Sequence, residues 1–197
     1  MDAPLRTVVA AYRSPYFRQW VLVTALGALL APFIAANGVG LAFLLSPQLE
    51  SSTFGFVAIA FPLLGLVVSI CQWFFLRKHF RKAYGWIVAT VLGHLLGGLL
   101  LESFNGLLSV GLARRLLELL CVGLVLGLAQ YLFFKRQRVA IAWGWIVAVI
   151  LVRFIQAALP IDLPFLFDIA TDCLEAIING CITGILIVSF IEQTKAA

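Results

Sequence analysis

Apolar residues run along this chain in blocks of about twenty, separated by short polar stretches. A helix rises about 1.5 Å per residue, so about 20 residues cross a ~30 Å hydrocarbon layer. Six segments meet or approach that length: 20–44, 53–76, 84–101, 116–134, 140–159 and 172–191. The stretch from Glu102 to Arg115 is too polar to lie in lipid and divides the third segment from the fourth. The pattern predicts an all-α integral membrane protein with six transmembrane helices, folded as a single polytopic domain over residues 1–197.

The blocks repeat. Shifted by 58 positions, Gly65, Leu66, Val67, Gln72 and Phe75 match Gly123, Leu124, Val125, Gln130 and Phe133, and basic pairs follow at 77–78 and 135–136. The pentapeptide GWIVA occurs at 85–89 and again at 144–148. Towards the N-terminus, Trp20, Leu26, Gly27, Leu29 and Leu30 align with Trp86, Leu92, Gly93, Leu95 and Leu96. Towards the C-terminus, Leu117, Glu118, Gly123 and Gly127 align with Leu174, Glu175, Gly180 and Gly184. Odd-numbered spans therefore open with Trp, and even-numbered spans carry glycines and, in two cases, a Gln. Three tandem two-helix units follow, approximately 16–76, 84–134 and 140–191, expected to form a six-helix bundle with pseudo-threefold symmetry. Glycines four residues apart let neighbouring helix backbones approach closely.

Charge sets the orientation. Of 14 Lys and Arg residues, eleven lie in the N-terminal segment (Arg6, Arg13, Arg18), the second loop (Arg77, Lys78, Arg81, Lys82), the fourth loop (Lys135, Arg136, Arg138) and the tail (Lys195). Only Asp2 and Glu192 accompany them, whereas seven of the nine acids lie in the remaining segments. The positive-inside rule then places both termini in the cytoplasm. A cleaved signal peptide is a weaker reading of the first span, because that span matches two internal ones. Aromatics at the cytoplasmic span ends (Tyr16, Phe17, Trp20, Trp73, Tyr84, Trp86, Tyr131, Trp143, Trp145) suit an interfacial belt.

Composition agrees: 63% of residues are hydrophobic and 12% charged, with mean hydropathy +1.08, against about 45–50% and about 25% in soluble domains. The net charge of +5 resides in short loops, which argues against a nucleic-acid surface. Cys71, Cys121, Cys173 and Cys181 fall in or beside apolar spans without a CxxC or Cys/His cluster, so a zinc site or disulfide framework is not expected.

With Gln72-Trp73 and Gln130-Tyr131 before basic loops, Trp86-Ile87 and Trp145-Ile146 after them, and Gly180 and Gly184 in the last span, the chain resembles a group of small, uncharacterised polytopic membrane proteins frequent in cyanobacteria and related bacteria. The likeness covers roughly residues 60–190. It implies the same topology in a bacterial plasma or thylakoid membrane, and brings no activity with it.

Candidate chemistry is confined to polar residues at membrane depth, which are costly there. His94 and Arg153 each lie eight residues after a repeat Trp, about 12 Å along the helix. They read either as one basic site on the pseudo-threefold axis, able to take an anionic group, or as local pairings, with Arg153 turned towards Glu175 or Glu118. Glu118 and Glu175 form a second candidate pair, as a proton or cation site or as partners of nearby arginines. Gln72, Gln130 and Asn179 read as interhelical hydrogen-bonding residues. No cofactor is expected, although His94 has the chemistry to ligate a haem or chlorophyll. No phosphate loop, HExxH or nucleophile motif is present, so no enzymatic activity is expected. The leading expectation is an accessory or scaffold component of a membrane complex, with lipid and other membrane proteins as partners. The alternative is a small-molecule or ion transporter or channel with its site on the axis.

Overall fold

The computed structural model describes residues 12–46, 52–104, 117, 119–139, 142–158 and 165–196. These residues are helical, with short turns between helices and no strands among them. The helices are α1 (Pro15–Leu45), α2 (Thr53–Leu76), α3 (Tyr84–Ser103), α4 (Val125–Arg136, entered through a π-helical turn at Leu119–Leu124), α5 (Gly144–Ala158) and α6 (Phe165–Ala196). Three of them, α1, α2 and α3, are long and apolar enough to cross a membrane, and shorter apolar stretches lie at Gly144–Ile155 and Ala176–Glu192.

Local signals set the ends. Ser14 caps α1, its Oγ accepting from the Tyr16 N–H at 3.2 Å, with Pro15 in the first turn, where its missing N–H costs nothing. Ser52 caps α2 by accepting from the Gly55 N–H at 3.1 Å. The loops after α2 and α4 meet where the Gln137 side chain donates to the Arg81 carbonyl at 2.7 Å. One boundary differs from the sequence expectation. The segment 165–171, which lies outside the six predicted spans, is the start of α6.

Each helix packs against its neighbours in sequence, and α6 returns to pack against α1, which closes the ring. Glycines set the close contacts. A Cβ added at Gly27 would meet Val68 Cα at 3.0 Å and Cys71 Cβ at 3.2 Å. One added at Gly93 would meet Leu126 Cα at 2.9 Å and Ala129 Cβ at 3.4 Å. Val68 and Cys71 lie 58 residues before Leu126 and Ala129, so α1 rests on α2 as α3 rests on α4.

At the end carrying the basic loops, the ring is filled with aromatic side chains. Trp20, Trp86 and Trp145 form a triangle, with ring centroids 6.1, 6.1 and 5.4 Å apart in edge-to-face geometry. Phe75, Phe80, Phe133, Phe134 and Phe190 pack around them. The three Trp residues are 0%, 0% and 2% exposed, so the belt role expected for them is replaced by a core role. Trp143 and Tyr84 do stay exposed, and Trp73 lies under the Arg77 guanidinium at 4.9 Å.

A polar cavity lined from all six helices

Successive turns of each odd-numbered helix face inward. The positions are Trp20, Thr24 and Ala28 on α1, Trp86, Thr90 and His94 on α3, and Trp145, Val149 and Arg153 on α5. The four-residue spacing puts each set on one helix face. All of these except Trp20 line a cavity of about 240 Å³. The even-numbered helices complete the wall with Leu64, Val68 and Gln72 from α2, Leu126 and Gln130 from α4, and Ala176, Asn179 and Thr183 from α6. The tryptophan triangle and the aromatic cluster around it plug the end nearest the basic loops.

The plug is held by hydrogen bonds of one design used twice. Trp86 Nε1 donates to Gln72 Oε1 at 3.0 Å, and Gln72 Nε2 donates to Thr24 Oγ1 at 3.2 Å. Trp145 Nε1 donates to Gln130 Oε1 at 2.8 Å, and Gln130 Nε2 donates to Thr90 Oγ1 at 3.0 Å. Each glutamine thus joins three helices, and each buried indole N–H gains the acceptor it needs. The third junction departs from the design. Trp20 Nε1 donates to Thr183 Oγ1 at 2.8 Å, and the Thr183 hydroxyl donates to its own helix at Asn179 O, 2.6 Å away. Here a threonine of α6, rather than a glutamine, accepts from the indole, and α5 carries apolar Val149 where α1 and α3 carry Thr24 and Thr90.

Register explains the departure. A Cβ at Gly127 would lie 3.5 Å from Ile146 Cα, and one at Gly180 would lie 3.1 Å from Val21 Cα. Ile146 and Val21 directly follow Trp145 and Trp20. Gly180 therefore packs in the manner of Gly127, one helical turn away from the alignment that pairs Gly180 with Gly123 and Gly184 with Gly127. Thr183 then stands where Gln130 does, and Asn179 stands where Leu126 does.

His94 and Arg153 both line the cavity and are seated in matching ways. A Cβ at Gly65 would lie 2.9 Å from His94 Nδ1, and one at Gly123 would lie 3.1 Å from Arg153 Cγ. Gly123 belongs to the π-helical turn before α4, a distortion that recurs at functional sites. His94 Nδ1 lies 2.9 Å from the Thr90 carbonyl. A carbonyl can only accept, so Nδ1 carries the proton and the lone pair of the neutral ring is on Nε2. Arg153 is close enough to His94 to act on it electrostatically. Glu118 and the Glu175 side chain lie outside the described residues.

Asn179 does not do what its residue type suggested. Its backbone carbonyl accepts from Thr183, but its side-chain amide makes no hydrogen bond to a described group and stands on the cavity wall. Thr24 and Thr90 accept from the glutamines, while their own hydroxyl protons go to no described acceptor. Nothing in the sequence flagged these two threonines. Their only signal was their common position, four residues after Trp20 and Trp86.

At about 240 Å³ the cavity is smaller than the roughly 300–1,000 Å³ that accommodates drug-sized ligands. No group of three metal-ligating side chains occurs among the described residues. No protein-family model, curated protein or solved structure matches the chain.

Proposed function

We propose that this chain is a six-span membrane transporter for a small polar solute. In this reading it is built from three two-helix units around a pseudo-threefold axis, with both termini in the cytoplasm and the solute held in the central cavity. One observation carries the reading: a guanidinium, an imidazole and an amide without a partner among the described residues share one cavity inside a mostly apolar bundle. Polar groups in such surroundings are expensive, and a protein serving only as scaffold gains nothing from leaving an amide without a partner. Substrate sites between internal repeats, near mid-membrane, are a recurring transporter design. The aromatic plug then acts as the cytoplasmic gate.

Ala28, on the cavity wall, tests this in a variant lacking the native cysteines. With Ala28→Cys, a small membrane-impermeant thiol reagent should modify the protein from the non-cytoplasmic face only. Adding Trp20→Ala, which thins the plug, should open a cytoplasmic route. A cysteine at exposed, lipid-facing Leu22 serves as the unreactive control. If Ala28→Cys reacts from neither face, with or without Trp20→Ala, the cavity is a sealed packing space. The transport reading then fails, and the accessory-component reading takes its place.

A further inference from the structure

We infer that the solute is a small carboxylate carrying its own hydrogen-bond donor, such as a 2-hydroxy or 2-amino acid, anchored by Arg153 and oriented by Asn179 and His94. This rests on the solute-binding reading above and deepens it. The cavity wall is rich in donors. Arg153 brings a permanent positive charge and five N–H groups. With five donors, the guanidinium can address a ligand while keeping its protein contact. Asn179 adds an amide whose N–H groups meet no described acceptor, and Thr24 and Thr90 add two hydroxyl protons at the inner end. The described lining contains no carboxylate. Such a donor set matches an oxyanion, and a planar guanidinium matches a carboxylate in particular.

Acceptors are fewer: besides the Asn179 Oδ1, which meets no described donor, two stand at the level of Arg153 itself. The Nε2 lone pair of His94 is one. A second follows from Pro32, which lines the cavity on α1. Proline has no N–H, so the carbonyl of Ala28, four residues earlier and also on the wall, lacks its usual helical donor. Ala28 occupies on α1 the position that His94 occupies on α3 and Arg153 on α5. One level of the cavity therefore offers a cation and two acceptors, which a carboxylate with a neighbouring hydroxyl or ammonium satisfies together. Size agrees. At ~30 Å³ per molecule the space holds on the order of eight waters, room for a solute of lactate's size. Val149, Val152 and Leu126 supply an apolar wall for its carbon end.

The experiment uses purified full-length protein in detergent, with lactate as probe and lactamide as its uncharged counterpart. Trp86 and Trp145 line the cavity, so their fluorescence reports occupancy directly. Lactate should change it saturably and lactamide should not. Asn179→Leu should weaken lactate binding about tenfold or more while leaving the melting temperature unchanged or raised, because Leu126 already fills the matching place on α4. Arg153→Lys should retain weak binding, and Arg153→Gln should abolish it. If lactamide binds as well as lactate, or if Asn179→Leu leaves lactate affinity intact, the carboxylate inference is overturned while solute binding stands. If neither probe binds and Ala28→Cys is also unreactive, the solute-binding reading falls with it.

Discussion

Replacing Gln130 by Leu separates hydrogen bonding from packing in this bundle. Leucine is close in size to glutamine, so the substitution mainly removes two bonds. Trp145 Nε1 loses its acceptor at 2.8 Å, and Thr90 Oγ1 loses its donor at 3.0 Å. Orphaning a buried donor costs about 1–3 kcal/mol, and Trp145 is only 2% exposed. Two effects pull the figure down. Interhelical hydrogen bonds inside membranes average about 0.6 kcal/mol, with a maximum of about 1.7, and Trp145 borders the cavity, where a water could replace part of the loss. The expected cost of Gln130→Leu is therefore about 1–2 kcal/mol. Trp145→Phe removes the donor and also shrinks the ring that packs against Trp20, Trp86, Phe134 and Phe190. In the double variant neither partner is orphaned, so it should be more stable than the sum of the single effects by about 1 kcal/mol. Equilibrium unfolding by SDS in mixed micelles, followed by loss of helical circular dichroism, measures all four corners of the cycle. Additivity within about 0.3 kcal/mol would show that the indole and the amide are not energetically coupled, and the stitching of three helices by one glutamine would have to be abandoned.

Gly97→Ala should destabilise by about 1–3 kcal/mol, since its Cβ would meet Val122 Cα at 2.8 Å and Cys121 O at 3.0 Å, both backbone atoms. Gly40→Ala, with nothing within 4 Å, should instead stabilise by up to about 1 kcal/mol through helix propensity, and the same SDS titration compares the two. Thr183→Val orphans Trp20 Nε1 and should cost about 1–2 kcal/mol; Thr183→Ser, which keeps the hydroxyl, should recover most of that stability. The three indoles lie within 6.1 Å of one another, so the far-ultraviolet circular dichroism should contain an exciton couplet that Trp20→Phe, Trp86→Phe and Trp145→Phe each reduce. An unchanged spectrum in all three variants would disprove the triangle. Reporter fusions at the two ends should both report the cytoplasm; opposite readings would rule out an even number of spans.

Much of this protein is determined by its sequence alone. Runs of about twenty apolar residues have few alternatives to the helix, because only a helix satisfies its own backbone in an apolar medium. The 58-residue match also carried real contacts, since Val68 and Leu126 meet Gly27 and Gly93 in the same way. Tertiary structure decided three further points. Tryptophan at a span end reads equally as an interfacial anchor or as a buried donor, because the two roles share a depth and differ only in which way the ring faces. The helix ring turned Trp20, Trp86 and Trp145 inward. Thr24 and Thr90 became legible only once α1 and α3 were placed beside the glutamines that donate to them. Finally, glycines four apart look the same after a shift of one turn, so the alignment of Gly180 and Gly184 could not set the register of α6. Packing against α1 did, with Gly180 against Val21. That single turn leaves Thr183 holding Trp20 and stands Asn179, its amide without a described partner, on the wall of the cavity.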